Sequence, residues 1–164
     1  MKSEKQSFLK RKNVIISFKR YGIDAMGSMA LGLFASLLIG TIINTIGQNV
    51  CPGSFVSGKL LEIGGYATSV TGAAMALAIG HALQAPPLVM YSLCAVGAAC
   101  NAIGGSGGPL AVFFVAVITC EIGKLVSKET KVDIIVTPAV TVIVGVVLAM
   151  LLAPVCKNVC DALG

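Results

Sequence analysis

Apolar residues run along this chain in long blocks, and the charged positions gather between them. No Asp, Glu, Lys or Arg occurs between Asp24 and Lys59, or between Glu62 and Glu121. Blocks of that length predict membrane-spanning helices. Five spans fit the pattern, over about residues 25–47, 63–83, 86–103, 110–126 and 134–156. The first amounts to roughly 34 Å of helix, enough to cross a bilayer with some tilt. The predicted fold is all-α: a polytopic integral membrane protein, with residues 1–24 as a basic cytoplasmic tail and 25–164 as the transmembrane domain. Asp24, Glu62 and Asp133 each stand just before a span. A carboxylate there suits the positive end of a helix dipole, so all three read as helix starts.

One stretch breaks the pattern. "NAIGGSGGPLAV", residues 101–112, sets Gly104, Gly105, Gly107, Gly108 and Pro109 between the third and fourth spans. Lipid cannot hydrogen-bond an open backbone, so this stretch should not face hydrocarbon. It reads either as a flexible outer loop or as a re-entrant element whose backbone faces a watery cavity. In the second case the N–H groups of Gly105 and Gly107 would meet an anionic or hydroxyl-rich ligand. In the second span Gly72, Ala76 and Gly80 repeat every four residues, with Thr68 on the same line. Such a stripe lets a helix approach closely, and it is expected to carry association with a second copy or a second half-module.

Composition supports the membrane reading. The chain is 56% hydrophobic and 12% charged, about half the charge of a soluble domain. Its net charge of +5 is concentrated. Lys2, Lys5, Lys10, Arg11, Lys12, Lys19 and Arg20 all precede the first span, and Lys124, Lys128 and Lys131 fall on the same side of the membrane. Only Lys59 and Lys157 fall on the other. This asymmetry predicts a cytoplasmic N-terminus, a C-terminus outside, and the glycine stretch near the outer face. No nucleic-acid reader and no GxxxxGK[ST] loop accompanies the basic tail, so neither nucleic acid nor nucleotide is an expected partner. The first apolar run is too long for a cleaved signal and stays as a span. The tail "SFLKRKNVIISFKRYGI" has an amphipathic character, broken by Lys12 and Lys19, that would suit the membrane surface.

Candidate chemistry is sparse. Glu121 sits inside the fourth span, where an ionisable group costs a few kcal/mol unless it is paired or wetted. Lys124, three residues on, can pair with it on the same helix face. The alternative is a substrate- or proton-handling role. Asn44 ends the first span and Asn101 the third, and both could line a polar path or form hydrogen bonds between helices. The candidate substrate-binding set is therefore Glu121, Asn101, Gly105, Gly107 and Asn44. His81 is the lone histidine and has no ligand partner at metal spacing, so no metal or other cofactor is expected. Cys94, Cys100 and Cys120 fall inside spans. Cys51, Cys156 and Cys160 fall outside, where one disulfide among them can form. No catalytic constellation is present.

Three runs carry a resemblance: "SKETKVDIIVTPAVTVIVG" (127–145), "HALQAPPLVMYS" (81–92) and "GGSGGPLAVFFVAV" (104–117). Together they resemble the membrane component IIC of the bacterial sugar phosphotransferase system, in the stand-alone branch that includes the perfringolysin regulator. The similarity covers roughly residues 20–164, and "ETKVDIIVTP" is its most specific part. The resemblance implies sugar translocation coupled to phosphorylation in the bacterial inner membrane, by a homo-oligomer working with IIA and IIB components. It also implies an N-terminal half-module, whose second half is related by an inverted repeat. The Gly-x-Thr-Glu-Pro loop of transporting relatives has no counterpart here, so no binding residue is carried over from the family. The alternative role is a membrane-embedded regulator or sensor that keeps the fold without transport.

Overall fold

The computed structural model describes residues 11, 12, 14, 17–50, 52–127 and 133–163. Within them every regular element is helical. The first helix, α1, runs unbroken over Lys19–Asn49 and widens to π-helical bonding at Lys19–Ala25 and Phe34–Leu38. It is followed by α2 (Phe55–Ser69) and α3 (Thr71–Ala82). Next come α4 (Pro87–Gly104), a short 3-10 turn (Gly105–Gly107) and α5 (Gly108–Val126). The last helix, α6, spans Asp133–Leu163. The all-helical membrane architecture read from the sequence is what the chain adopts.

Local chemistry sets the joints. Ser54 caps α2 by accepting from the N–H of Ser57 at 3.2 Å. Between α2 and α3 the axis bends by 42°. There Thr68, Ser69 and Thr71 each turn a hydroxyl onto the carbonyl three residues back, Gly65, Tyr66 and Thr68. These bonds compete with the helical ladder and bend it. The end of α3 is a Schellman turn: Ala85 N–H bonds Gly80 O, Gln84 N–H bonds His81 O, and Gln84 takes a left-handed φ of 54°. Pro87 then opens α4, where a missing N–H costs nothing.

Two predicted helix starts are corrected. Asp24 lies inside α1 and Glu62 inside α2, and only Asp133 opens a helix. The apolar block marks where lipid contact begins, but backbone bonding continues past that boundary into the polar flank. For the same reason α6 extends beyond 156 to Leu163.

The core lies among α3, α4, α5 and α6. Met75, Ile79, Val89, Leu93, Val96, Val112 and Val115 are fully buried there. Helix α4 is central and packs on α3, α5 and α6. The first half of α1 lies on α3, and its second half pairs with α2, which makes little contact with the rest. The stripe of Gly72, Ala76 and Gly80 is buried inside the chain, a second correction. A side chain at Gly72 would collide with the carbonyl of Gly97, so the stripe seats α3 on α4 and is not free for a second copy. Thr68 lies elsewhere, against Gly40 of α1.

Among the described residues three helical stretches are long and apolar enough to cross a membrane: Lys19–Asn49, Pro87–Val126 and Asp133–Leu163. A fourth joins them if the bent pair α2–α3 is one span. Pro87–Val126 folds back on itself at Gly105. Near its open end, a Cβ on Gly123 would stand 2.7 Å from Val89. Its arms hold 18 and 19 residues, each about 27 Å of helix. The predicted count of five spans treats each arm as one crossing.

Candidate functional site

The glycine stretch is a tight, packed reversal. Gly105 adopts φ 50°, a backbone conformation that favours glycine. Gly107 is buried, and a Cβ there would fall 2.7 Å from the carbonyl oxygen of Cys156 on α6. Ser106 donates to Asp161 Oδ1 at 2.6 Å, a second tie to α6. Asn101 is half-buried at the same end, with its Oδ1 against Gly108. So Asn101, Gly105 and Gly107 share one end of the α4–α5 hairpin, where Gly104, Gly107 and Gly108 are buried by protein and Gly105 and Ser106 are exposed.

Glu121 lies at the other end of α5, about 20 Å along the helix from Gly108. Lys124 Nζ stands 2.9 Å from Glu121 Oε1, and the two side chains are 1% and 16% exposed. The pair forms because i and i+3 share a helix face. It is retained at this depth because each charge alone would cost several kcal/mol. Glu121 Oε2 is buried and accepts no hydrogen bond from the described residues. Tyr21 of α1 lies within interaction range of this carboxylate, and Arg20 is close enough to act on Tyr21 and Cys120. Thr119, fully buried two residues before Glu121, also has a hydroxyl without a partner among the described residues.

The same end of the molecule is tied to the N-terminal segment. Lys12 Nζ donates to the carbonyl of Ser127, just past α5. Arg20 Nη2 donates to the carbonyl of Leu83 at 2.5 Å, just past α3. Cations there meet carbonyls that a helix end leaves unbonded, at the negative pole of its dipole. Sequence reasoning treated these residues as topology signals alone. The one available clue was "HALQAPP", a helix stop whose free carbonyls need donors.

Asn44 belongs to neither place. It sits on α1 against Gly64 of α2, and its Oδ1 is buried without a partner. The five candidate residues therefore occupy three locations: the hairpin tip, the far end of α5, and the α1–α2 contact. Cys156 and Cys160 are free thiols, and Cys156 is buried against the hairpin tip. Cys51, most of the basic tail and most of the "SKETK" run lie outside the described residues. Among the described residues, no group of three His, Cys, Asp or Glu stands close enough to hold a metal.

The family model described as Phosphotransferase system, EIIC matches residues 23–164. No curated protein and no solved structure matches the chain. The match takes in α2 to α6 entire and all of α1 beyond its first turn, including both members of the buried pair. With helices of this length and apolarity, it places the protein in a membrane as a component of a sugar phosphotransferase system. The chain belongs to the phosphotransferase system EIIC family.

Proposed function

We propose that this chain translocates a sugar or related polar solute, with Glu121 accepting a hydrogen bond from a solute hydroxyl. The observation that carries this reading is the buried second oxygen of Glu121, which lacks a donor among the described residues. A buried carboxylate oxygen left unbonded costs free energy that a hydroxyl donor would recover. Lys124 holds the first oxygen at 2.9 Å and so orients the carboxylate. The chain crosses the membrane five times, with each arm of the α4–α5 hairpin as one span and the N-terminus in the cytoplasm. It works with a second copy or a second membrane module, and IIA and IIB components deliver the phosphoryl group to a hydroxyl of the translocated sugar.

Binding of a sugar panel to the protein in native membranes tests this. Glu121→Gln alone removes the carboxylate that pairs with the buried Lys124 ammonium, so Glu121→Gln with Lys124→Gln is the matched neutral control. Both variants should insert, and both should lose at least about tenfold in affinity for the preferred sugar. Undiminished sugar binding in the double variant would remove Glu121 from the path.

The ties from Lys12 and Arg20 to the ends of α5 and α3 favour a second reading, a regulator whose tail reports the state of the bundle. In that case no sugar is taken up. Removing residues 2–20 abolishes the regulatory output, and the Glu121 variants leave it intact.

A further inference from the structure

Tyr21 belongs to the π-helical opening of α1, Lys19–Ala25. Stretches of π-helical bonding interrupt the ordinary ladder and are frequent at functional sites. The Tyr21 side chain is half-buried and packs against the core. Its hydroxyl comes within interaction range of the Glu121 carboxylate, from a different helix. Lys124 holds Glu121 Oε1 at 2.9 Å, while Oε2 accepts no hydrogen bond from the described residues. A phenol hydroxyl and an unsatisfied carboxylate oxygen therefore stand close together with no hydrogen bond joining them.

We propose that Tyr21 is a specificity-determining residue of the Glu121 site: one solute hydroxyl bridges the two, donating to Glu121 Oε2 and accepting from the Tyr21 hydroxyl. The inference rests on the reading of Glu121 as a solute acceptor, and it says which solutes qualify. A neutral hydroxyl is donor and acceptor at one atom. A protonated amine only donates, and an ether oxygen or a fully ionised phosphate ester only accepts. The bridged position therefore takes a free hydroxyl of an unphosphorylated sugar or polyol. It rejects the same solute aminated, etherified or phosphorylated there. A site built to bond a solute hydroxyl also rejects the analogue lacking it, because its own polar groups are then left unpaired. Oε2 is buried in this state, so the solute reaches it when the half-buried Tyr21 side chain gives way.

Equilibrium binding to the full chain in native membranes tests this, using the preferred sugar of the panel and its set of monodeoxy analogues. In the wild type one deoxy position should cost at least about tenfold in affinity, since both partners lose their bond there. Tyr21→Phe keeps the ring and its packing and removes only the hydroxyl. It should weaken the parent sugar and the other analogues about fivefold, and leave the affinity for that one deoxy analogue unchanged. A Tyr21 that only supports the fold would weaken the whole set alike, the critical analogue included, and that result overturns the proposal. So does tighter binding of the parent sugar by Tyr21→Phe, which would make the phenol a competitor for Oε2. Glu121→Gln with Lys124→Gln separates this inference from the reading it rests on. If that double variant weakens the parent sugar while Tyr21→Phe does not, the bridge alone fails. Undiminished binding in the double variant, or no binding of any sugar in the panel, overturns both.

Discussion

At the scale of the residue, the pair of Glu121 and Lys124 makes the sharpest demand on the fold. Lys124 is 1% exposed, so Lys124→Met strands a carboxylate with no counter-ion. The expected cost is about 3–5 kcal/mol, seen as early thermal unfolding in detergent. Adding Glu121→Gln to Lys124→Met should recover most of that loss, because no buried charge then remains. A double variant no more stable than Lys124→Met would show that the pair contributes nothing as a pair. The pair itself was legible in the sequence, since its spacing of three follows from helix geometry alone. Tyr21 and Arg20 were not, because their meeting with α5 and α3 depends on how distant segments pack. The same limit applies to Asn44: its polarity was visible, but its seat against Gly64 required the α1–α2 contact.

At the scale of the element, helix positions were legible and helix ends were not. Hydropathy reports contact with lipid, whereas a helix ends where its backbone finds other partners. The joint at Val70 is an example: a single apolar block conceals a 42° bend made by three hydroxyls. Replacing Thr68, Ser69 and Thr71 with Ala should straighten it, and distances between spin labels at Gly58 and Ala78 should lengthen. Unchanged distances would assign the bend to packing instead. The stripe on α3 was also visible, but sequence could not say which helix it met. Since it meets α4 at Gly97, Gly72→Ala should destabilise the folded chain itself by about 1–3 kcal/mol. Crosslinking between copies should be unaffected at temperatures where the variant stays folded. Loss of crosslinking without loss of stability would return the stripe to an intermolecular contact.

At the scale of the whole molecule, the thiols report both packing and topology. Cys160 is partly exposed near the end of α6, while Cys156, one turn earlier, is buried under the hairpin tip. A membrane-impermeant thiol reagent added outside should modify Cys160 and spare Cys156. Modification of Cys160 only from the cytoplasmic side would invert the proposed orientation. The tip has a mechanical consequence as well. Gly107 is pressed on the Cys156 carbonyl and Ser106 is tied to Asp161, so α4 and α5 are clamped to α6 like beams built into a wall. The α1–α2 arm, held along one side only, is the cantilever. If the protein carries a solute across, the stiff block is the frame, and the stroke is made by that arm pivoting where α1 leaves α3.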